Sequence, residues 1–112
     1  MNECLFCKLQ HEMNEKVYED ELFYVIKDIE PKAPKHYLAI YKKHIKLLSE
    51  MTLEDAENLG KIFAKIAEIS ESVFDLDGGY RVVINQGDNA GQTVPHIHIH
   101  LLGGAEMGWN PA

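Results

Sequence analysis

The chain has 112 residues, 46% hydrophobic and 26% charged, with a formal net charge of −7 at pH 7. That is one globular domain, with no apolar run near the roughly 20 residues of a membrane helix. The acidic balance argues against gripping a nucleic-acid polymer over a broad surface, but not against a mononucleotide held by a few aimed groups.

The first residues, "MNECLFCKLQHEMNEKVYEDE", lack a basic segment followed by an apolar one. No secretory signal is therefore expected, and the cytoplasm is the expected compartment. Cys4 and Cys7 are the only cysteines. In a reducing compartment a Cys-x-x-Cys pair reads as half of a zinc site or as a redox pair. No strand precedes the pair, which weighs against redox chemistry of the thioredoxin kind.

Residues 5–13 are expected to form a short helix. "KVYEDE" and "LFYVIKDI" read as two strands with a turn at Glu19–Glu21, the second apolar on both sides. "DIEPKAPKH" is a loop and "HYLAIYKKH" a third strand. The long helix is expected over 52–74. Thr52 and Asp55 form a capping box, and Leu59, Ile62, Phe63, Ile66, Ile69 and Val73 repeat as one apolar stripe. "DLDGG" turns the chain, "YRVVIN" is a fourth strand, "QGDNAGQTVP" a loop and "HIHIHLL" a fifth strand, followed by an irregular tail. Strands at both ends of a central helix, without βαβ alternation, indicate an α+β domain with an antiparallel sheet.

The last strand places His96, His98 and His100 at two-residue spacing. In a strand such residues share a face about 7 Å apart, with Ile97, Ile99 and Leu101 on the other. An imidazole row of this kind suits either an open catalytic metal site or nucleophilic and acid–base chemistry, and spacing alone does not choose. The preceding loop is rich in glycine and neutral amides, which suits phosphate oxygens.

"GQTVPHIHIHLLGG" resembles the histidine triad (HIT) motif, and "DIEPKAPKHYLAIYKKH" is similar to the matching upstream segment of that family. The resemblance runs from about Cys4 to Trp109. The ending "LLGG…M…W" resembles the Hint branch, the purine nucleoside phosphoramidases. The resemblance implies a single HIT domain over 1–112, with one long and one short helix. It also implies a five-stranded antiparallel sheet continued across a homodimer.

The implied reaction is hydrolysis of purine nucleoside 5'-phosphoramidates, such as those of AMP with ammonia or lysine. It passes through a nucleotidyl-histidine and needs no metal in the chemical step. Carried onto this chain, His98 is the nucleophile, His100 contacts the phosphate and His36 orients the triad. Asp28 receives the ribose hydroxyls, Ile29 and Val94 line the nucleoside pocket, and Ile26 takes a base-stacking position that is often aromatic. Asn85, Gly91, Gln92 and Thr93 surround the phosphate and leaving group, with Thr93 where serine is common. Trp109 is expected to reach the partner's site or to act as a packing anchor. Tyr41 replaces a frequent proline, Pro95 stands where an aromatic is often seen, and His11 reads as a surface residue.

The resemblance also implies a structural zinc held by Cys4, Cys7, His44 and His96, a Cys₂His₂ set with no open position. Other readings stay open on the sequence: a nucleotide-binding regulatory module with low turnover, a nucleotidyl transferase or dinucleoside polyphosphate hydrolase, and a metalloenzyme using all three triad histidines.

Overall fold

The computed structural model describes residues 4–12 and 15–108. In chain order the elements are α1 (Leu5–Glu12), β1 (Tyr18–Glu19), β2 (Phe23–Lys27), β3 (Lys35–Tyr41), α2 (Leu53–Ile69), β4 (Tyr80–Val83) and β5 (His98–Gly103). Short 3₁₀ turns lie at Leu48–Glu50 and Asp88–Ala90. The five strands form one sheet in the order β1-β2-β3-β5-β4, every pair antiparallel. The expected α+β class is what the chain adopts.

Both faces of the sheet are covered, and strand alternation sorts the residues between them. On one face Phe23, Val25, Tyr37, Ala39, Tyr41, Ile99 and Leu101 pack with Leu59, Ile62 and Ile66 of α2. On the other, Tyr24, Ile26, Leu38 and Ile40 pack with Phe6 of α1. Register pairs Ile40 with His98 and Leu38 with His100, so both histidines stand on the α1 face. The apolar pattern of β2, read from sequence as covered on both sides, has this cause.

Thr52 caps α2 as expected. Its hydroxyl accepts from the Asp55 N–H at 3.1 Å, and the Asp55 carboxylate accepts from the Thr52 N–H at 3.0 Å. The helix ends at Ile69, however, not at 74. The chain leaves through looser turns, with Leu76 N–H donating to the Ser70 carbonyl at 2.9 Å and Asp75 at φ 55°. This swings Phe74 and Leu76 into the core. It also leaves Val73 exposed, as Phe63 is, so neither belongs to the buried stripe.

The strands are shorter than their apolar runs. The Asp20 carboxylate accepts from the Leu22 N–H at 2.8 Å and the Phe23 N–H at 3.2 Å, which turns the chain and confines β1 to two residues. β3 stops at Tyr41 because Lys42 and the residues after it turn off the sheet. Ile45 then drops into the core, and its carbonyl accepts from the Ile97 N–H at 2.7 Å. That bond holds 96–97 off the ladder, so β5 begins at His98 and not at His96. β4 ends at Val83, which leaves Asn85 outside the sheet. Among the described residues no helix is long and apolar enough to cross a membrane.

Candidate active site

The three histidines of "HIHIH" have three different sets of partners. His98 and His100 stand on β5 with ring centroids 5.1 Å apart. His96, just ahead of the strand, is turned toward the N-terminus. Its Nδ1 lies 3.3 Å from Cys4 Sγ and 3.6 Å from Cys7 Sγ. The rings do not converge on one point, and among the described residues no metal-binding grouping contains all three.

His96 Nε2 lies 2.5 Å from the Tyr41 carbonyl. A carbonyl only accepts, so the proton sits on Nε2 and the Nδ1 lone pair faces the cysteines. His44 reaches the same place because β3 has ended. Its Nδ1 lies 3.3 Å from Cys4 Sγ and 3.1 Å from Cys7 Sγ, and the two sulfurs are 3.2 Å apart.

A tetrahedral zinc with bonds of about 2.0–2.3 Å needs ligand–ligand edges of roughly 3.3–3.8 Å. The observed separations run from 3.1 to 3.6 Å, from slightly below that range to within it. The Cys7 N–H donates to Cys4 Sγ at 3.3 Å, a contact that suits a thiolate. Two thiolates and two imidazole lone pairs on one centre fit zinc.

His98 is buried under the α1 face. Its Nδ1 lies 2.8 Å from the His96 carbonyl, so Nδ1 carries the proton and Nε2 keeps its lone pair. Phe6 packs edge-on against it, with centroids 5.0 Å apart and planes at 73°. The Tyr24 hydroxyl donates to the Phe6 carbonyl and anchors α1 there.

His36, buried on β3, places Nε2 at 2.9 Å from His100 Nδ1 and 3.3 Å from Asp28 Oδ2. Its Nδ1 accepts from the Lys32 main-chain N–H at 3.0 Å. Asp28 Oδ1 accepts from the Glu30 N–H at 2.8 Å, which fixes the loop entry. A cleft of about 300 Å³ opens beside Asp28, His36 and Pro34.

Burial is the leading cause that holds His36, His96 and His98 below the ordinary imidazole pKa. Burial, followed by its neighbours His98 and His36, pushes His100 down to about 4. The site is a cluster of neutral imidazoles at pH 7, with the ring protons of His36, His96 and His98 assigned by main-chain partners.

The remaining expected residues are spread more widely. Ile26 is buried in the second core cluster, Val94 packs against that cluster, and Ile29 is almost fully exposed. Gly91, at φ 78°, closes the 3₁₀ turn at Asp88–Ala90 in a conformation that favours glycine. Gln92 is buried, and both ends of its amide serve the main chain. Oε1 accepts from the Gly87 N–H at 2.8 Å, and Nε2 donates to the Lys46 carbonyl at 2.8 Å. Thr93 is exposed and Asn85 half-buried. Trp109 lies outside the described residues. His11 is exposed, as read.

An antiparallel sheet with one long and one short helix, and paired histidines on the face under the short helix, defines an α+β domain built around an imidazole cluster. The sequence matches the HIT domain model over residues 10–107. The chain belongs to the HIT family, the histidine triad proteins. An uncharacterized HIT-like protein of Chlamydia muridarum is 50% identical over 94 residues, which is 84% of this chain and 74% of that protein.

The structure resembles a HIT family hydrolase from Legionella pneumophila, with a TM-score of 0.85 and 40% identity, covering 98% of this chain and 100% of that one. A zinc-bound histidine triad family protein from Mycobacterium smegmatis matches with a TM-score of 0.74 and 32% identity, covering 89% and 73% of the two chains.

Three contributions escaped the sequence reading. Phe6 buttresses His98, and its only signal was an apolar residue three before Leu9 in a short helix. Tyr41 had no assigned part. Its carbonyl receives the His96 proton, and its hydroxyl donates to Asp55 at 2.8 Å. The Lys32 amide belongs to the main chain and leaves no trace in residue type.

Proposed function

We propose that this HIT family member hydrolyses purine nucleoside 5'-phosphoramidates to the monophosphate and an amine, through a nucleotidyl intermediate on His98. The observation that carries the reading is the 2.8 Å contact between His98 Nδ1 and the His96 carbonyl. It leaves a neutral imidazole with a bare Nε2, which is what a nucleophile at phosphorus requires.

In the first step an Nε2–P bond forms while the P–N bond to the amine breaks. The amine leaves with a proton drawn from solvent at its nitrogen, and the Thr93 hydroxyl would hydrogen-bond it. Water then attacks phosphorus, the Nε2–P bond breaks, the proton lost by the water returns to solvent, and the monophosphate departs. His100 donates to a phosphate oxygen, and Asp28 receives the ribose hydroxyls. Ile26, Ile29 and Val94 flank the nucleoside. Asn85 and the loop through Gly91 border the phosphate, with Gln92 acting through the loop that it closes.

Cys4, Cys7, His44 and His96 would hold zinc. The ion would be structural, fastening the N-terminal segment to the residues just after β3 and just before β5. The protein is proposed to be a cytoplasmic single-domain enzyme working as a homodimer. β4 supports this assembly because it is an edge strand with Val82 exposed, able to continue the sheet into a second copy. The partner's Trp109 would then reach the site.

The test is release of AMP from adenosine 5'-phosphoramidate. The wild type is expected to turn over, and His98→Ala to lose at least a thousandfold in kcat. Full activity in that variant would overturn the assignment. Tight AMP binding without product would favour a regulatory module instead. Transfer of the nucleotide to another phosphate, or cleavage of dinucleoside polyphosphates in preference to phosphoramidates, would move the protein to those activities.

A further inference from the structure

Asp28, His36 and His100 come from three segments, and their ligand atoms all lie within 4.8 Å of one another. The grouping resembles a second metal site, two imidazoles and a carboxylate. The protons argue otherwise. The Lys32 main-chain N–H can only donate, and it points at His36 Nδ1 from 3.0 Å. Nδ1 must therefore be bare. A neutral imidazole carries one proton, so that proton is on Nε2. There it faces the Asp28 carboxylate at 3.3 Å and His100 Nδ1 at 2.9 Å. A metal would need the Nε2 lone pair, which would leave His36 with no proton at all.

The consequence passes one ring further. His100 Nδ1 accepts from His36, so His100 carries its proton on Nε2. Among the described residues Nε2 of His100 has no protein partner, and no described polar side-chain atom is both buried and unpartnered. This proton is therefore free to meet a ligand.

The geometry points to the Lys32 main-chain amide as a positioning group that fixes the tautomer of His36 and, through it, the donor face of His100 toward the phosphate. The loop residues 30–34 act through hydrogen-bond direction; the Lys32 Nζ bonds the Glu30 carbonyl at 2.9 Å, and its charge only adds to the causes that disfavour protonation of His36 and His100. Burial favours the neutral form of both rings, which the chain of donors requires. The device opposes that of His98, whose carbonyl partner puts the proton on Nδ1. Neighbouring imidazoles are thereby set as one nucleophile and one donor. The tautomers follow from the hydrogen-bond geometry of neutral rings, and a phosphate as the ligand met by His100 rests on the proposed function.

The experiment reads ring nitrogens by long-range ¹H–¹⁵N correlation in the full-length protein. In the wild type His36 and His100 are expected as Nε2–H tautomers and His98 as Nδ1–H. Lys32→Ala keeps the amide and should keep these tautomers, whereas Lys32→Pro removes it and should populate the Nδ1–H form of His36. On adenosine phosphoramidate, kcat should fall at least tenfold from the alanine to the proline variant, with KM moving less than threefold. Should the proline variant not fold, His36→Gln and His36→Ala replace it. Glutamine offers an N–H where Nε2 stood, so it should retain at least five times the kcat of the alanine variant.

A wild-type His36 protonated on Nδ1, or equal kcat in the glutamine and alanine variants, overturns the inference. Perturbation of the His36 and His100 ring signals by Ni²⁺ at one equivalent, in zinc-loaded protein, would also overturn it in favour of a metal site. Correct tautomers in a protein that does not hydrolyse phosphoramidates would sink the proposed function and leave the relay standing.

Discussion

Phe6 is the least conspicuous residue on which the site depends. It is 4% exposed, with its ring 5.0 Å from His98 and 6.0 Å from His96, edge-on to both. Its helix has only eight residues, too few to be stable by itself, so packing holds it in place. Truncating a buried phenylalanine costs about 3–5 kcal/mol, transfer and cavity terms together. At about 4 °C per kcal/mol for a chain of this size, Phe6→Ala should lower the Tm by about 12–20 °C. Phe6→Leu keeps most of the volume and loses mainly the ring-edge contacts, about 0.5–1.5 kcal/mol, so about 2–6 °C.

Thermal unfolding followed by circular dichroism, on metal-free and zinc-loaded protein, measures both. Zinc should recover part of the loss, because the cysteines hold the segment when the ring does not. In the leucine variant kcat should fall severalfold with KM nearly unchanged if His98 is the nucleophile, since the ring packs against His98. A fall under about 3 °C for Phe6→Ala, less than 1 kcal/mol, would refute the argument that this ring holds α1 on the sheet.

Replacing Cys4 and Cys7 together by serine should abolish stoichiometric zinc in elemental analysis and lower the Tm, while the tautomer of His98, fixed by a carbonyl, persists. His100 should titrate by NMR near 4, well below the ordinary imidazole value of 6.5, because burial and two neighbouring histidines oppose its charge. Between pH 6.5 and about 4 the unfolded chain takes up a proton that the folded site refuses, so this group's contribution is complete above pH 6.5 and is lost as the pH falls. Asp55 works in the same direction. Hydrogen bonds from Thr52, and then from Tyr41 and Lys43, hold its carboxyl well below the usual range, so Asp55→Asn should destabilise the protein at neutral pH and flatten the acid limb of a stability–pH curve.

The motif "HIHIH" and the capping box were legible because both are local patterns of residue type. The fold class followed from the alternation and the single amphipathic helix. What was misread depended on distant bonds. β5 starts two residues late because Ile97 binds Ile45, and no periodicity within residues 96–102 encodes that bond. The helix overran its true end because Val73 and Phe74 continue the apolar spacing, yet only Phe74 turns inward. His44 was placed beside the cysteines by resemblance. The structural reason, the early end of β3, lies in how the chain turns at Lys42. The proton assignments came from carbonyls and amides of Tyr41, His96 and Lys32, groups that every residue type carries and no sequence pattern marks.

Under the proposed mechanism His98 Nε2 becomes covalently attached to the nucleotide. Single-turnover mixing with adenosine 5'-phosphoramidate, quenched in base to protect a phosphorus–histidine bond, followed by intact-mass and peptide mass spectrometry, tests it directly. The expected result is a transient gain of one adenylyl group, located on His98 and gone once the substrate is consumed. Product formed with no adduct on the enzyme, or an adduct on His96 or His100, would contradict it.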